Sequence, residues 1–339
     1  MIDKDEFMKE FKYYKSNNPK PNLNKVLSVE TSGTDQICRI PPEAILNDSK
    51  ADILGLHNVQ EWQLYSFTKH PGLLLVRNPF TALGQRYWIR KCLEEYPRKP
   101  NKLNIDVEVT IQDWWKKSFE DGDCNKQLLK KLRWTTLGYH HNWNTKVYTE
   151  ENKSEFPADL AELSDVVSMY LGFSNYKAEA AIVNYYHMNS TLSAHTDHSE
   201  VNLEAPLFSF SFGQSAIFLI GGKDKSIKPS ALLLNSGDIV VMSKEARLSY
   251  HAVPKILPTT TSPWDNKDEL FPISPYIDEV NFKYVTNAKQ IITMMNDNIN
   301  ECKWNAFGNY IKESRINMNV RQVLNERQKC VTDPLFIET

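Results

Sequence analysis

The sequence predicts an α+β protein, with a mainly helical first part and a β-sandwich or jelly roll in the second. Before about Trp134, apolar residues recur at helical spacing. After it, short strand-like runs follow one another with turn residues between them. The 339 residues are enough for two domains. We therefore expect residues 1–133 to form a helical extension and residues 134–339 to form the β-rich domain.

The first part contains several predicted elements. A helix is expected within residues 1–18, because Phe7, Phe11 and Tyr14 share one face and Pro19 follows. The run from Leu73 to Val76 predicts a buried strand. Residues 81–96 predict a helix, and residues 110–132 predict helix in two pieces, broken near Gly122.

The second part shows alternation typical of strands. Phe208, Phe210 and Phe212 lie on one face of a predicted strand. Residues 254–275 contain five prolines and predict a long loop, and residues 281–298 predict a helix. The six predicted strands are Ala178–Tyr186, Leu207–Phe212, Ala216–Ile220, Ala231–Leu234, Ile239–Met242 and Arg315–Val323.

Composition excludes several classes of protein. With 40 Lys and Arg against 42 Asp and Glu, the chain does not bind nucleic acid by bulk charge, although a local basic patch is allowed. No apolar run approaches the length of a membrane span, and no secretory signal follows Met1. The five cysteines form no C-x-x-C pair, so we expect a reducing, intracellular compartment. The sequence indicates no oligomeric state.

The residues that suggest chemistry are His195, Asp197 and His251. In an extended segment His195 and Asp197 point to the same side, and His251 follows several strands later. Two histidines and one carboxylate form the facial triad that holds Fe(II) with open positions for other ligands. By itself the pattern is weak, since H-x-D is common. A surface histidine beside an aspartate, or the zinc centre of a hydrolase, would also explain it.

A second polar pattern lies near the C-terminus. Arg315, Asn317, Asn319 and Arg321 share one face of a strand. Two arginines on a buried face require anions, and a guanidinium binds a carboxylate through two parallel hydrogen bonds. The gap between the two guanidinium groups suits a small dicarboxylic acid. The alternative is an edge strand with a solvated polar face. Asn184 and Tyr186, upstream, could donate to the same carboxylates.

These elements, in this order, resemble the AlkB family of Fe(II)- and 2-oxoglutarate-dependent dioxygenases. The family pattern is N-x-Y, H-x-D, a distant His and R-x-N-x-x-x-R. The resemblance is nearly full length and strongest to the animal AlkB homologue 1 branch, including the run Leu207–Gly222. Two positions depart from it: His198 stands where that branch often has Arg, and Asn319 where the family commonly has Thr.

The resemblance implies a double-stranded β-helix with N-terminal helices and a nucleotide-recognition lid, to which residues 1–133 would contribute. His195, Asp197 and His251 would hold Fe(II). Arg315, Asn317 and Tyr186 would bind the distal carboxylate of 2-oxoglutarate, with Arg321 and Asn184 near its metal-chelating end. With O2, the enzyme would hydroxylate an N-methyl carbon, releasing formaldehyde, succinate and CO2. The branch is associated with nucleus and mitochondrion, although a cytoplasmic location remains open.

By the same resemblance, the substrates are N6-methyladenine in unpaired or bulged DNA, methyladenine or methylcytosine in tRNA, or histone methyl-lysine. An extruded base needs aromatic surfaces, and Tyr139, Tyr148 and Trp115 are the candidates. Apart from the resemblance, Arg86, Arg90 and Lys91, and also Lys126, Lys130 and Arg133, fall at helical spacing. Either row could follow a phosphate backbone, and a solvated helix face would also explain them. Two rival interpretations are a protein hydroxylase with the same metal core and a binding module that has lost catalysis.

Overall fold

The computed structural model describes residues 5–30, 35–43, 50–107, 110–120, 124–276 and 280–333. The strands in these ranges are β1 (Ile37–Ile40), β2 (Gln63–Phe67), β3 (Leu73–Arg77), β4 (Lys102–Leu103), β5 (Trp134–Gly138), β6 (Ala180–His187), β7 (Leu192–His195), β8 (Leu207–Gly213), β9 (Ser215–Ile220), β10 (Ser230–Leu234), β11 (Ile239–Met242), β12 (His251–Leu257) and β13 (Ser314–Arg321). The helices are α1 (Glu6–Lys15), α2 (Lys50–Ile53), α3 (Ala82–Arg90), α4 (Trp114–Lys117), α5 (Lys126–Lys131), α6 (Ala158–Tyr170), α7 (Ala288–Asp297) and α8 (Glu301–Ile311).

Two antiparallel sheets form the centre of the molecule. Within the described ranges, nine strands make the larger sheet in the order β1-β2-β3-β11-β8-β13-β6-β5-β4, and four make the smaller in the order β10-β9-β12-β7. An apolar cluster containing Leu207, Phe218, Val240 and Val253 joins side chains from both sheets. Facing sheets of this kind form a jelly roll, which confirms the predicted fold class.

The larger sheet has two chemically different faces. Phe208, Phe210 and Phe212 of β8 are fully buried with Ile316 and Met318 of β13 in a core shared with the helices. The alternate residues of β8 and β13 point the other way, toward the smaller sheet. Strand alternation therefore puts the apolar residues under the helices and leaves a polar set inside the jelly roll.

Helix α1 covers the outer face of the smaller sheet. The Asp5 side chain caps it by accepting a hydrogen bond from the Met8 amide. Phe7, Phe11 and Tyr14 pack in one cluster with Ile217 and Leu219 of β9. The predicted amphipathic helix is thus confirmed.

The other predictions for the first part have mixed outcomes. The strand at Leu73 and the helix beginning after Thr81 are confirmed, and the latter continues as a π-helical turn at Lys91–Glu95. The predicted break within residues 110–132 separates α4 from α5, and Gly122 itself lies outside the described residues. The first part contains strands that the sequence did not predict, because β1 and β2 extend the larger sheet beyond β3. The boundary at residue 133 stays a prediction.

In the second part, all six predicted strands form, each within a few residues of its expected limits. The predicted helix within residues 281–298 is α7, and the sequence did not predict α8. The predicted loop starts later than expected, because Pro254 lies inside β12. Among the described residues, no helix combines the length and the hydropathy of a membrane span.

Candidate active site

His195, Asp197 and His251 meet at one end of the smaller sheet. His195 ends β7 and is the cross-strand neighbour of His251, which begins β12. Their ring centroids are 4.3 Å apart. Asp197 follows β7 by two residues, and its carboxylate oxygens lie 4.0 Å from His195 Nε2 and 3.5 Å from His251 Nε2.

Backbone carbonyls orient both rings. His195 Nδ1 lies 2.9 Å from the carbonyl oxygen of Ser193, and His251 Nδ1 lies 3.1 Å from that of Ser249. A carbonyl oxygen only accepts, so each Nδ1 must donate and each Nε2 is left with a free lone pair. Burial, reinforced by the nearby His195, lowers the pKa of His251 to about 4 and keeps its ring neutral.

The donor set fits a divalent metal ion. One ligand atom from each of the three residues lies within 4.8 Å of the others. Burial alone would raise the pKa of Asp197, but the charged Arg321 guanidinium holds that pKa well below its usual value. Its Oδ2 is buried and accepts no hydrogen bond from any described residue. Two imidazoles and a carboxylate with a free oxygen are the ligands of a 2-His-1-carboxylate iron centre.

Arg315 marks the other end of the polar face of β13. Its side chain is 1% exposed, and Nη2 donates to Ser211 Oγ at 2.8 Å. Nε and Nη1 are buried and donate to no described group. Burial lowers the Arg315 pKa to about 10. A buried guanidinium with two unpaired nitrogens is costly unless an anion binds it, which suits a carboxylate of a small acid.

The residues around Arg315 complete a polar recess. Tyr186 of β6 is its cross-strand neighbour, and burial raises the Tyr186 pKa to about 12, so the phenol remains a donor. Asn317 donates through Nδ2 to Ser209 Oγ at 2.8 Å. Arg321, at the metal end of the same strand, donates from Nη2 to Asp197 Oδ1 at 2.9 Å.

Comparison with known proteins agrees with this geometry. The model of the 2OG-Fe(II) oxygenase superfamily matches residues 72–321. This chain belongs to that superfamily. Its relatives include a mouse protein named nucleic acid dioxygenase ALKBH1, which is 36% identical over 98% of this chain and 87% of its own length. A fission yeast tRNA demethylase, abh1, is 39% identical over 59% of this chain and 73% of its own. An Arabidopsis DNA N(6)-methyladenine demethylase, ALKBH1A, is 29% identical, covering 80% and 81%.

The predicted AlkB resemblance is therefore confirmed, and the chain is an Fe(II)- and 2-oxoglutarate-dependent dioxygenase that uses O2. A facial triad of two histidines and one carboxylate leaves three of six octahedral positions for other ligands, which suits this chemistry.

A cavity of about 630 Å³ lies beside His195 and Asp197, which line its wall. Its wall includes the aromatic side chains His141, Trp143 and Tyr148, and two lysines, Lys146 and Lys225. Trp143 is 48% exposed and contacts both His141 and Trp134, with ring centroids 4.7 and 5.0 Å apart. Large exposed aromatics beside cations suit a stacked base and its phosphates. The sequence did not predict His141 or Trp143 as site residues, although both lie between the candidates Tyr139 and Tyr148.

The three predicted base-contacting aromatics lie in different places. Tyr148 lines the cavity. Tyr139 lies behind it, with its hydroxyl donating to Glu150 and its ring centroid 6.2 Å from that of Tyr148. Trp115 stacks on Phe307 at 4.8 Å within the core under the larger sheet. Neither Tyr139 nor Trp115 lines the cavity. A direct contact with the base stays a prediction for all three.

Other predicted polar residues divide in the same way. Asn184, Asn319 and the exposed His198 line the cavity.

The predicted phosphate row at Arg86, Arg90 and Lys91 is wrong. Arg86 is fully buried against the carbonyl oxygens of Trp264 and Asn298, and the other two pair with carboxylates of neighbouring residues. Lys126, Lys130 and Arg133 are exposed, so a phosphate contact there stays a prediction.

Proposed function

We propose that this dioxygenase removes N-methyl groups from bases in nucleic acid, releasing formaldehyde, succinate and CO2. The observation that carries the proposal is the wall of the cavity beside His195 and Asp197, which is lined by both aromatic side chains and lysines. Aromatic faces hold an extruded base, and lysines neutralise phosphates. The names of the mouse, fission yeast and Arabidopsis relatives support the same substrate class.

In this proposal the chain holds its cofactor and co-substrate at opposite ends of one polar face. His195 and His251 bind Fe(II) through Nε2, and Asp197 binds it through its carboxylate. Arg315, Asn317 and Tyr186 bind the distal carboxylate of 2-oxoglutarate, while Arg321 and Asn184 orient the end that chelates the metal. When bound, Fe(II) with 2-oxoglutarate and O2 supplies the oxidant for the N-methyl carbon.

The base would enter from the cavity mouth. Trp143, which is exposed, offers a face on which an extruded base can stack, and the buried Tyr148 lines the same cavity. A base in a duplex must first be unpaired. The proposed substrates are unpaired or bulged DNA carrying N6-methyladenine and tRNA loops carrying methyladenine or methylcytosine. Extruding a base from these costs less energy than extruding it from a regular duplex. We also propose a nuclear or mitochondrial location, which fractionation of cells expressing the tagged protein would test.

The experiment is a panel of methylated substrates incubated with the protein, Fe(II), ascorbate and 2-oxoglutarate. The panel contains single-stranded, bulged and duplex DNA and a tRNA stem-loop, each paired with its unmethylated twin, and a methylated histone peptide. Mass spectrometry of the bases should show loss of the methyl group in at least one unpaired nucleic acid. Demethylation of the peptide with no change in any nucleic acid would overturn the proposal.

A further inference from the structure

The metal-binding carboxylate of Asp197 belongs to a cluster of four charged side chains, and the other three are buried. Two are acidic, Asp197 and Glu200, and two are basic, Arg247 and Arg321. Arg321 donates from Nη2 to Asp197 Oδ1 at 2.9 Å, and its Nε lies 3.1 Å from Glu200 Oε1. The Oδ1 atom of Asp197 is thereby occupied, while Oδ2 stays without a hydrogen bond and lies 3.5 Å from His251 Nε2.

Arg247 connects the two chain segments that supply the metal ligands. It lies in the 3-10 turn Lys244–Leu248, shortly before His251. Its Nη1 donates to the Asp197 carbonyl oxygen at 2.7 Å, and its Nε donates to the Ala205 carbonyl oxygen at 2.9 Å. Residues 196–206 form neither helix nor strand. The Arg247 guanidinium therefore holds both ends of an irregular segment whose conformation no sheet hydrogen bonds fix.

Glu200 lies between the two arginines. Its Oε2 accepts a hydrogen bond from Arg247 Nη2 at 3.0 Å, and its Oε1 lies beside Arg321 Nε. Oε1 also accepts a hydrogen bond from the Tyr148 hydroxyl at 3.3 Å. The Glu200 side chain is 1% exposed. One carboxylate thus fixes the direction of Arg321 and links it to an aromatic residue of the cavity wall.

Stability alone does not account for such a cluster. Replacing buried ion pairs by apolar side chains of similar volume is often neutral or stabilising, because desolvation offsets the attraction between the charges. The contacts, in contrast, converge on the backbone and side chain of a single metal ligand. A partner that orients a metal ligand commonly changes metal affinity or activity by about 10- to 100-fold when it is mutated.

We propose that Arg247 and Glu200 are positioning residues for the metal centre. Arg247 sets the backbone of Asp197 relative to the segment that leads into His251. Glu200 orients Arg321 so that it occupies Asp197 Oδ1 and leaves Oδ2 facing the His251 imidazole. The proposal rests on the metal-binding role of Asp197 and is independent of which substrate the enzyme demethylates.

The test compares Arg247→Lys with Arg86→Lys. Lysine keeps the charge but lacks the planar fork that makes the three separate contacts of Arg247. Arg86 is the matched control, because its guanidinium is also buried against two carbonyl oxygens but belongs to α3 and has its partners in the 252–314 region. Anaerobic Fe(II) titration of the full chain with 2-oxoglutarate, followed by visible charge-transfer absorption, measures metal binding apart from turnover. Melting temperatures measure the structural effect.

We expect Arg247→Lys to weaken Fe(II) binding by about 10- to 100-fold, whereas Arg86→Lys should lower the melting temperature and leave Fe(II) binding unchanged. Equal Fe(II) binding in wild type and Arg247→Lys would show that Arg247 is only structural.

Glu200→Gln is the second variant, since it keeps the shape of the side chain but removes its charge. It should also weaken Fe(II) binding and shift the absorption band. If it instead raises only the KM for nucleic acid, Glu200 contacts substrate and its positioning role is refuted. Failure of both variants to fold would show that the cluster serves folding itself, which would also overturn the proposal.

Discussion

Among the described residues of the site, Arg315 most clearly lacks hydrogen-bond partners for its buried donor groups. Its Nε and Nη1 are buried without partners, while Ser211 occupies Nη2. A carboxylate placed there would form two charge-assisted hydrogen bonds and cancel the cost of burying the cation. This makes Arg315 the residue by which binding of the co-substrate can be separated from binding of the substrate.

Arg315→Ala should therefore raise the KM for 2-oxoglutarate by about 10- to 100-fold, the effect of losing one or two charged hydrogen bonds. Binding of a methylated oligonucleotide, measured by fluorescence anisotropy, should change little. Arg90→Ala is the control, because that arginine pairs with Glu94 far from the recess. If the affinity for the oligonucleotide falls more than the affinity for 2-oxoglutarate, Arg315 does not bind the co-substrate as proposed.

His140 supplies a prediction about pH. Its ring is buried beside Thr136, and burial, with Lys102 nearby, lowers its pKa to about 4. The unfolded chain, with a histidine pKa near 6.5, binds the proton more readily. The stability contributed by the neutral ring is thus complete above pH 6.5 and is lost as the pH falls toward 4.

When the pH falls from 7 to 5, the unfolding free energy of wild type should drop further than that of His140→Gln. We expect the two drops to differ by about 1 kcal/mol, after allowing for partial solvent screening. Urea unfolding at both pH values measures the difference. The same pH dependence in both proteins would mean that His140 does not titrate in this way.

At the scale of elements, α1 is held almost entirely by its apolar face. Phe7 is fully buried between the helix and the smaller sheet, whereas Lys12 on the same helix is exposed. Phe7→Ala should lower the unfolding free energy by about 3–5 kcal/mol, the usual result of truncating a buried phenylalanine. Lys12→Ala should change it by less than about 0.5 kcal/mol. Equal effects of the two substitutions in denaturant titration would refute the docking of α1.

Periodicity explains which elements are predictable. The alternation of Arg315, Asn317, Asn319 and Arg321 predicts β13 correctly, because both of its faces are buried and each has one chemical character. By contrast, β1 has half-buried ends and two exposed central residues, Cys38 and Arg39, so it carries no alternating apolar signal. The four residues of β7 are likewise partly exposed, and that strand depends on pairing with β12. Pairing between distant segments leaves no local mark in the sequence.

The site is predictable to the extent that its chemistry needs fixed residue types. The triad and Arg315 stand out because few structural roles require those groups at that spacing. Tyr139 and Trp115 could not be distinguished from Trp143, since an aromatic ring gives the same apolar signal in a core and in a cavity wall. Arg86 falls at helical spacing with Arg90, but its partners Trp264 and Asn298 come from a distant segment that folds over it.

For the whole molecule, charge is almost balanced, with a formal net charge of −2. Binding of nucleic acid must then come from local contacts rather than from overall attraction. Lys146 and Lys225 at the cavity are the candidates, and Lys225 also lies 5.1 Å from the ring centroid of Tyr250.

Lys225→Gln should weaken binding of a single-stranded oligonucleotide to a similar degree for all sequences. It should also reduce the slope of log K against log salt by about 0.7, the value for one phosphate contact. Lys303→Gln, remote from the cavity and paired with Asp297, is the control and should leave the slope unchanged. An unchanged slope for Lys225→Gln would remove this lysine from the interface.

The central claim is that the His195–Asp197–His251 centre oxidises a methyl group on nucleic acid. The most direct measurement is the yield of formaldehyde per succinate with one oligonucleotide, methylated or not, for wild type and Asp197→Ala. We expect nearly one formaldehyde per succinate with the methylated strand, no formaldehyde with the unmethylated strand, and neither product from folded Asp197→Ala. Succinate formed at the same rate with both strands, while the methylated base stays intact, would contradict the central claim.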